Sequence, residues 1–138
     1  MKKIDIQNAV NAFGRIPVNK VKNDKIRSAL IFDYRRLRKV SREIEQERSD
    51  LVEKFRDDFA EELLDVQVLR ESGKPVTDHD EFLRAEASMN RTIQKMFQEE
   101  VTEDLELVTV TMDDFEKAVK DGEYTFEDLA ALDGIIIE

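Results

Sequence analysis

Apolar residues in the first half of the chain recur at the intervals that gather side chains onto one side of a helix. Between Val18 and Arg70 there is neither proline nor glycine, and Ile26, Leu30, Leu37, Val40, Ile44, Leu51, Phe55, Phe59 and Leu63 step by three, four or seven residues. That spacing forms one continuous stripe and predicts a long helix over residues 17–71. At a rise of 1.5 Å per residue, fifty helical residues would reach roughly 75 Å, more than the width of a compact domain of this mass. The helix is therefore expected either to bend or to form one side of an elongated hairpin.

The flanking patterns are shorter. Ile6, Val10 and Phe13 predict a first helix within residues 1–15, with Asp5 as a possible cap, Gly14 as its stop and Pro17 restarting the chain. Gly73 and Pro75 lie among small polar residues and mark a loop over 72–79. Phe82, Met89, Ile93, Met96 and Phe97 then predict a second long helix over 80–101, capped by Asp78 or Asp80 and antiparallel to the first. Over 104–138 the pattern changes. Leu105 to Thr111 is rich in β-branched residues and reads as a strand, and Asp113 is placed to cap a short helix that Gly122 ends. Thr125 and Asp128 have the spacing of a capping box, and Ile135 to Ile137 are expected to pair with the 105–111 strand, since a lone strand leaves its backbone groups unpaired. The expected fold is mainly α: one domain, 1–138, built as an elongated helical hairpin with a short N-terminal helix and a small α/β C-terminal cap.

Composition agrees with long, charge-decorated helices, because 41% hydrophobic and 39% charged residues are too apolar for a disordered chain and highly charged for a globule. There is no cysteine, which excludes disulfides and thiolate metal sites and fits a reducing compartment. No apolar run approaches a membrane span or a signal-peptide core, so the expectation is a soluble protein of the cytoplasm.

Charge alters the picture most. Met1 to Arg48 carries thirteen Lys/Arg against six Asp/Glu, and the remainder nine against twenty-six, so a basic segment is joined to an acidic one within a net charge of −10. Such a division implies self-neutralisation on folding or a charged partner for one part. On a wheel with Leu37 at zero, Arg38, Arg42, Arg35 and Lys39 fall near 100°, 140°, 160° and 200°, opposite the apolar stripe. This basic face is either solvated, paired with carboxylates of this chain, or a footprint for an acidic protein or a nucleic acid. Nucleic acid is disfavoured by the surrounding negative charge and by the lack of interleaved aromatic residues. Ile31 and Phe32 fall near 120° and 220°, off the stripe; either another segment of the chain covers them or they meet a second protomer, and a homodimer through them is expected.

Catalytic and metal chemistry find little support. Asp78, His79, Asp80 and Glu81 include the single histidine, but consecutive residues at a helix start do not converge on one ion, and carboxylates are favoured there by the helix dipole. No nucleophile has a base and an orienting group, and the four glycines form no phosphate loop. No enzyme activity, metal or cofactor is expected.

The order of parts carries a resemblance. Ile16-Pro17-Val18 opening a basic helix, the acidic continuation Glu43-Ile44-Glu45-Gln46-Glu47-Arg48, and the closing Thr111-Met112-Asp113-Asp114-Phe115 and Tyr124-Thr125-Phe126-Glu127-Asp128-Leu129-Ala130-Ala131-Leu132 together resemble small phage and prophage proteins of unknown function. The pattern spans most of the chain, which departs from that group in its longer central helix. The resemblance implies a phage or prophage protein of the bacterial cytoplasm or the virion, and assigns no catalytic residue. The expected role is a non-enzymatic assembly or morphogenesis accessory factor that binds a protein partner. The alternatives are a nucleic-acid-associated regulator using the basic face and an acidic inhibitor acting as a decoy.

Overall fold

A computed structural model describes residues 1–120 and 122–138. The fold is mainly α with a small two-stranded sheet near the C-terminus, as the periodicity predicts. Its helices are α1 (Lys3–Arg15), α2 (Asp24–Asp58), α3 (Ala60–Glu71), α4 (Asp80–Phe97), α5 (Met112–Ala118) and α6 (Phe126–Ala131), and its strands are β1 (Val110–Thr111) and β2 (Ile136–Ile137). The chain divides into two compact units, one from Met1–Glu43 with Glu99–Glu138 and the other from Ile44–Gln98.

In the first unit the α2 stripe behaves as its spacing requires. Ile26, Leu30, Leu37 and Val40 are buried, as are Ile6, Ala9, Ala12 and Phe13 of α1. The α1 and α6 helices pack together, and the Phe13 ring meets Tyr34 of α2 edge-on at 5.9 Å. The buried Ser41 hydroxyl donates to Gln7, tying α2 to α1. Asp5 does not cap α1 from outside: it lies in the first turn, where its carboxylate accepts the Lys2 N–H at 2.8 Å. Gly14 is likewise helical, and the helix ends at Ile16, whose backbone turns extended ahead of Pro17.

The predicted 17–71 helix is shorter and divided. Residues 18–20 form a 3₁₀ turn, and α2 starts only after Asn23, whose side chain accepts the Ile26 N–H at 3.1 Å. At its other end the helix is interrupted at Phe59 (φ −123°, ψ 30°) without a proline or glycine. The break coincides with an aromatic cluster in the second unit, and the helical bonds from Phe59 N–H to Phe55 and from Leu63 N–H to Phe59 persist across it at 3.1 and 2.9 Å. Phe59 lies 5.3 Å from Phe55 and meets Phe82 nearly perpendicularly at 5.7 Å, while Phe55 and Phe82 are 5.0 Å apart. Val66 joins Phe55 and Phe82 in this core, with Leu63 and Met89 packed against it. Glu86 on α4 accepts two hydrogen bonds from the Arg70 guanidinium on α3, at 3.0 and 2.7 Å, and this pair holds the Glu86 carboxyl below its usual range. The α4 helix ends at Phe97 rather than residue 101, and its cap position is His79, not Asp78 or Asp80.

The C-terminal strand is also shorter than expected. Only Val110 and Thr111 are strand, paired in parallel with Ile136 and Ile137, so the expected partner is present at the end of the 105–111 segment. Residues 105–109 take another course, with two of their backbone donors bonded to side-chain carboxylates. The Glu106 N–H bonds Asp104 Oδ1 at 2.9 Å with Glu106 itself at φ 50°, and the Val108 N–H bonds Asp33 Oδ1 at 2.7 Å. Thr111, rather than Asp113, caps α5 by accepting the Asp114 N–H. The Thr125–Asp128 capping box on α6 is formed in both directions.

Candidate functional site

Folding consumes part of the basic segment. Within the first unit Lys3 pairs with Glu99 at 3.1 Å, the N-terminal amine with Glu100 at 3.4 Å, Arg15 with Asp128 at 2.7 Å and Arg36 with Glu106 at 3.6 Å. The charge division in the sequence is thus partly a folding device, joining early cations to late carboxylates. Exposed pairs of this kind stabilise by only about 0–1 kcal/mol each. The Arg15–Asp128 pair is different, because the Asp128 side chain is almost wholly buried. Burial pushes that carboxyl up, but hydrogen bonds from the Thr125 N–H and the Arg15 guanidinium outweigh burial and hold it below its ordinary value.

Among the described residues Arg35, Arg38, Lys39 and Arg42 are left without an ion pair by folding, as are Lys20, Lys22 and Lys25 of the same basic segment. The four of the basic face are all exposed. Pairing of this face with carboxylates of the same chain, one of the readings open from the sequence, is absent among those residues. The structure also divides the face. Arg35 and Arg38 line a cleft of about 550 Å³, whereas Lys39 and Arg42 lie outside it. One wall comes from Phe13 near the end of α1 and from Ile16, Pro17 and Val18 in the turn after it, and the other from Ile31 and Tyr34 of α2. Lys20 adds a further cation, and the Arg38 guanidinium lies 5.8 Å from the centre of the Tyr34 ring. Pro17 and Lys20 also line an adjoining cleft with Lys22, Lys117, Lys120 and the acidic Glu123, so lysines outnumber carboxylates along this surface.

Ile31 and Phe32 are not brought together. Ile31 is half-buried in the cleft, while Phe32 is 39% exposed and carries the Arg36 guanidinium 4.8 Å from its ring centre. A larger cleft of about 640 Å³ lies along α1 and α6, but its one arginine, Arg15, is already committed to Asp128. The Arg35/Arg38 cleft therefore has the stronger claim, since it joins apolar walls to uncommitted positive charge.

Asp33 is the residue that sequence reasoning overlooked. It is fully buried in the α2 stripe, with Oδ1 accepting from Val108 N–H and Oδ2 without a partner among the described residues. Burial raises its carboxyl to about 6, and the Val108 hydrogen bond opposes that rise. The signal was the seven-residue step from Leu30 to Leu37, which leaves an aspartate at a position of the buried stripe.

Among the described residues no group of three or more His, Cys, Asp or Glu side chains is placed to hold a metal ion, and no helix is long and apolar enough to cross a membrane. His79 Nδ1 instead lies 2.8 Å from Glu62, joining the start of α4 to α3. His79→Ala is accordingly expected to lower stability by about 0.5–1.5 kcal/mol, the usual value of one such bond, with no change in metal content by elemental analysis. No protein-family model matches the chain, and neither a curated protein nor a solved structure is significantly similar to it.

Proposed function

We propose that this chain is a non-enzymatic interaction protein that docks an acidic, partly apolar segment of a protein partner in the cleft lined by Arg35 and Arg38. One observation carries the reading: two exposed arginines without carboxylate partners among the described residues stand over apolar walls, while other cations of the same segment are neutralised by folding. A partner carboxylate meeting Arg35 or Arg38 gains a charge-assisted hydrogen bond, and an apolar side chain entering between Ile16 and Ile31 leaves water. The pattern-level resemblance to small phage and prophage proteins supports placing this activity in phage assembly or morphogenesis inside a bacterial host.

The nucleic-acid reading uses the same cations and makes the opposite prediction. Four cations would neutralise about four phosphates and give a salt slope of roughly −3 to −4 on duplex DNA. A fluorescein-labelled Glu-Glu-Phe repeat peptide is expected to bind at near-physiological salt, and Arg35→Glu with Arg38→Glu should weaken it about tenfold or more, as loss of central charged contacts does. Mixed-sequence DNA and RNA should fail to bind. Tight nucleic-acid binding that falls with salt and disappears when Arg35, Arg38, Lys39 and Arg42 become glutamate would replace this reading with the regulator.

A further inference from the structure

Resting on the cleft as a docking site, we infer that its acidic occupant is a second copy of this chain, which inserts Phe126. The Phe126 side chain is 91% exposed, the most exposed of the large apolar residues described. It stands at the first position of α6, where local structure needs no aromatic ring: the cap is made by Thr125 and Asp128 on either side of it. The same contacts hold the ring's base in place, because Asp128 bonds Thr125 at 3.0 Å and Arg15 at 2.7 Å. An anchor on a fixed backbone loses little conformational freedom on binding.

Charge selects the complementary surface. Glu127 follows Phe126, is exposed and takes part in no ion pair among the described residues, so the ring is presented beside an unneutralised carboxylate. The cleft offers what such a knob requires. Phe13 and Tyr34 already meet edge-on, so a third ring can extend that contact, and Arg35 or Arg38 can lie over the ring or bond the carboxylate. At a net charge of −10 two copies repel at long range, but screening beyond about 8 Å at physiological ionic strength leaves the local match of acid to base in control. Knob and cleft are different patches of the chain, so each copy contributes one half to any contact. Phe32, with Arg36 over its ring, is outside this interface.

Sedimentation velocity from low to high micromolar protein at near-physiological salt tests the inference. Wild type is expected to associate with rising concentration, and both Phe126→Ser and the Arg35→Glu, Arg38→Glu double variant should weaken association roughly thirtyfold or more while keeping wild-type helicity by circular dichroism. Mixing the two variants should restore a two-chain species, because one retains the cleft and the other the knob. Wild type remaining monomeric, association untouched by Phe126→Ser, or association lost on Phe32→Asp with Phe126→Ser silent would each overturn the inference. If wild type is monomeric yet still binds the Glu-Glu-Phe repeat peptide through Arg35 and Arg38, the self-association fails and the partner-docking function stands. Loss of both overturns both.

Discussion

Asp128→Ala is expected to destabilise the first unit by about 2–4 kcal/mol, the sum of a lost helix cap and a lost charge-assisted hydrogen bond to a buried carboxylate. The substitution removes the acceptor of the Thr125 N–H at 3.0 Å and of Arg15 at 2.7 Å. Both tyrosines, Tyr34 and Tyr124, belong to this unit, so urea or thermal unfolding followed by tyrosine fluorescence reads it selectively. Acid should erase the difference. A carboxyl whose folded value lies below the ordinary 3.8 contributes its stability above that value and loses it as pH falls through the folded value. Wild type and variant should therefore converge in strong acid. An Asp128→Ala protein as stable as wild type at neutral pH would remove the anchor proposed beneath Phe126.

Asp33→Asn should have the opposite sign and the opposite pH dependence. The folded Asp33 carboxyl titrates at about 6 against an ordinary 3.8, so the folded state holds its proton more tightly than the unfolded chain does. Ionised Asp33 is thus a stability cost, fully present above about pH 6 and relieved as pH falls from there toward 3.8. Two units of separation correspond to about 3 kcal/mol as an upper figure, at 1.36 kcal/mol per unit. Asparagine keeps an acceptor for the Val108 N–H but places an amide where Oδ2 stands unpartnered, and an unsatisfied amide takes back part of the gain. A net stabilisation of about 1–2 kcal/mol at pH 7.5, vanishing near pH 4, is expected in the same unfolding experiment. A variant less stable than wild type at pH 7.5 would overturn the expectation that ionised Asp33 is a net stability cost.

These two aspartates mark where sequence patterning stops being informative. The α2 stripe was legible because burial of apolar area dominates folding and leaves a periodic trace: Ile26, Leu30, Leu37, Val40 and Ile44 are all buried. Asp33 shares that stripe, yet a polar residue in a helix reads as solvent-facing until the Val108 segment is placed against it. The interruption at Phe59 had no local breaker to announce it, and it falls where Phe55, Phe59 and Phe82 meet in the tertiary structure. The β-branched run at 105–111 predicted more strand than forms: propensity is a weak guide in context, and here side-chain carboxylates take two of the backbone donors, those of Glu106 and Val108. At the candidate site the cations could be read from one helix wheel. The cleft could not, because its second wall comes from residues 13–20 in a different element.

The discontinuity of the first unit also bears on the order in which the chain can fold. Its early segment, Met1–Glu43, includes α1, whose packing partner α6 begins only at Phe126, and Asp33, whose bond reaches Val108. The second unit, Ile44–Gln98, is contiguous and leaves the ribosome before any of those late partners exists. Its aromatic core needs contacts no more distant in sequence than Phe55 to Met89, so loop closure there is the less demanding. Synthesis from the N-terminus thus favours an inserted unit that folds first, while the basic segment waits for the acidic one that completes its core.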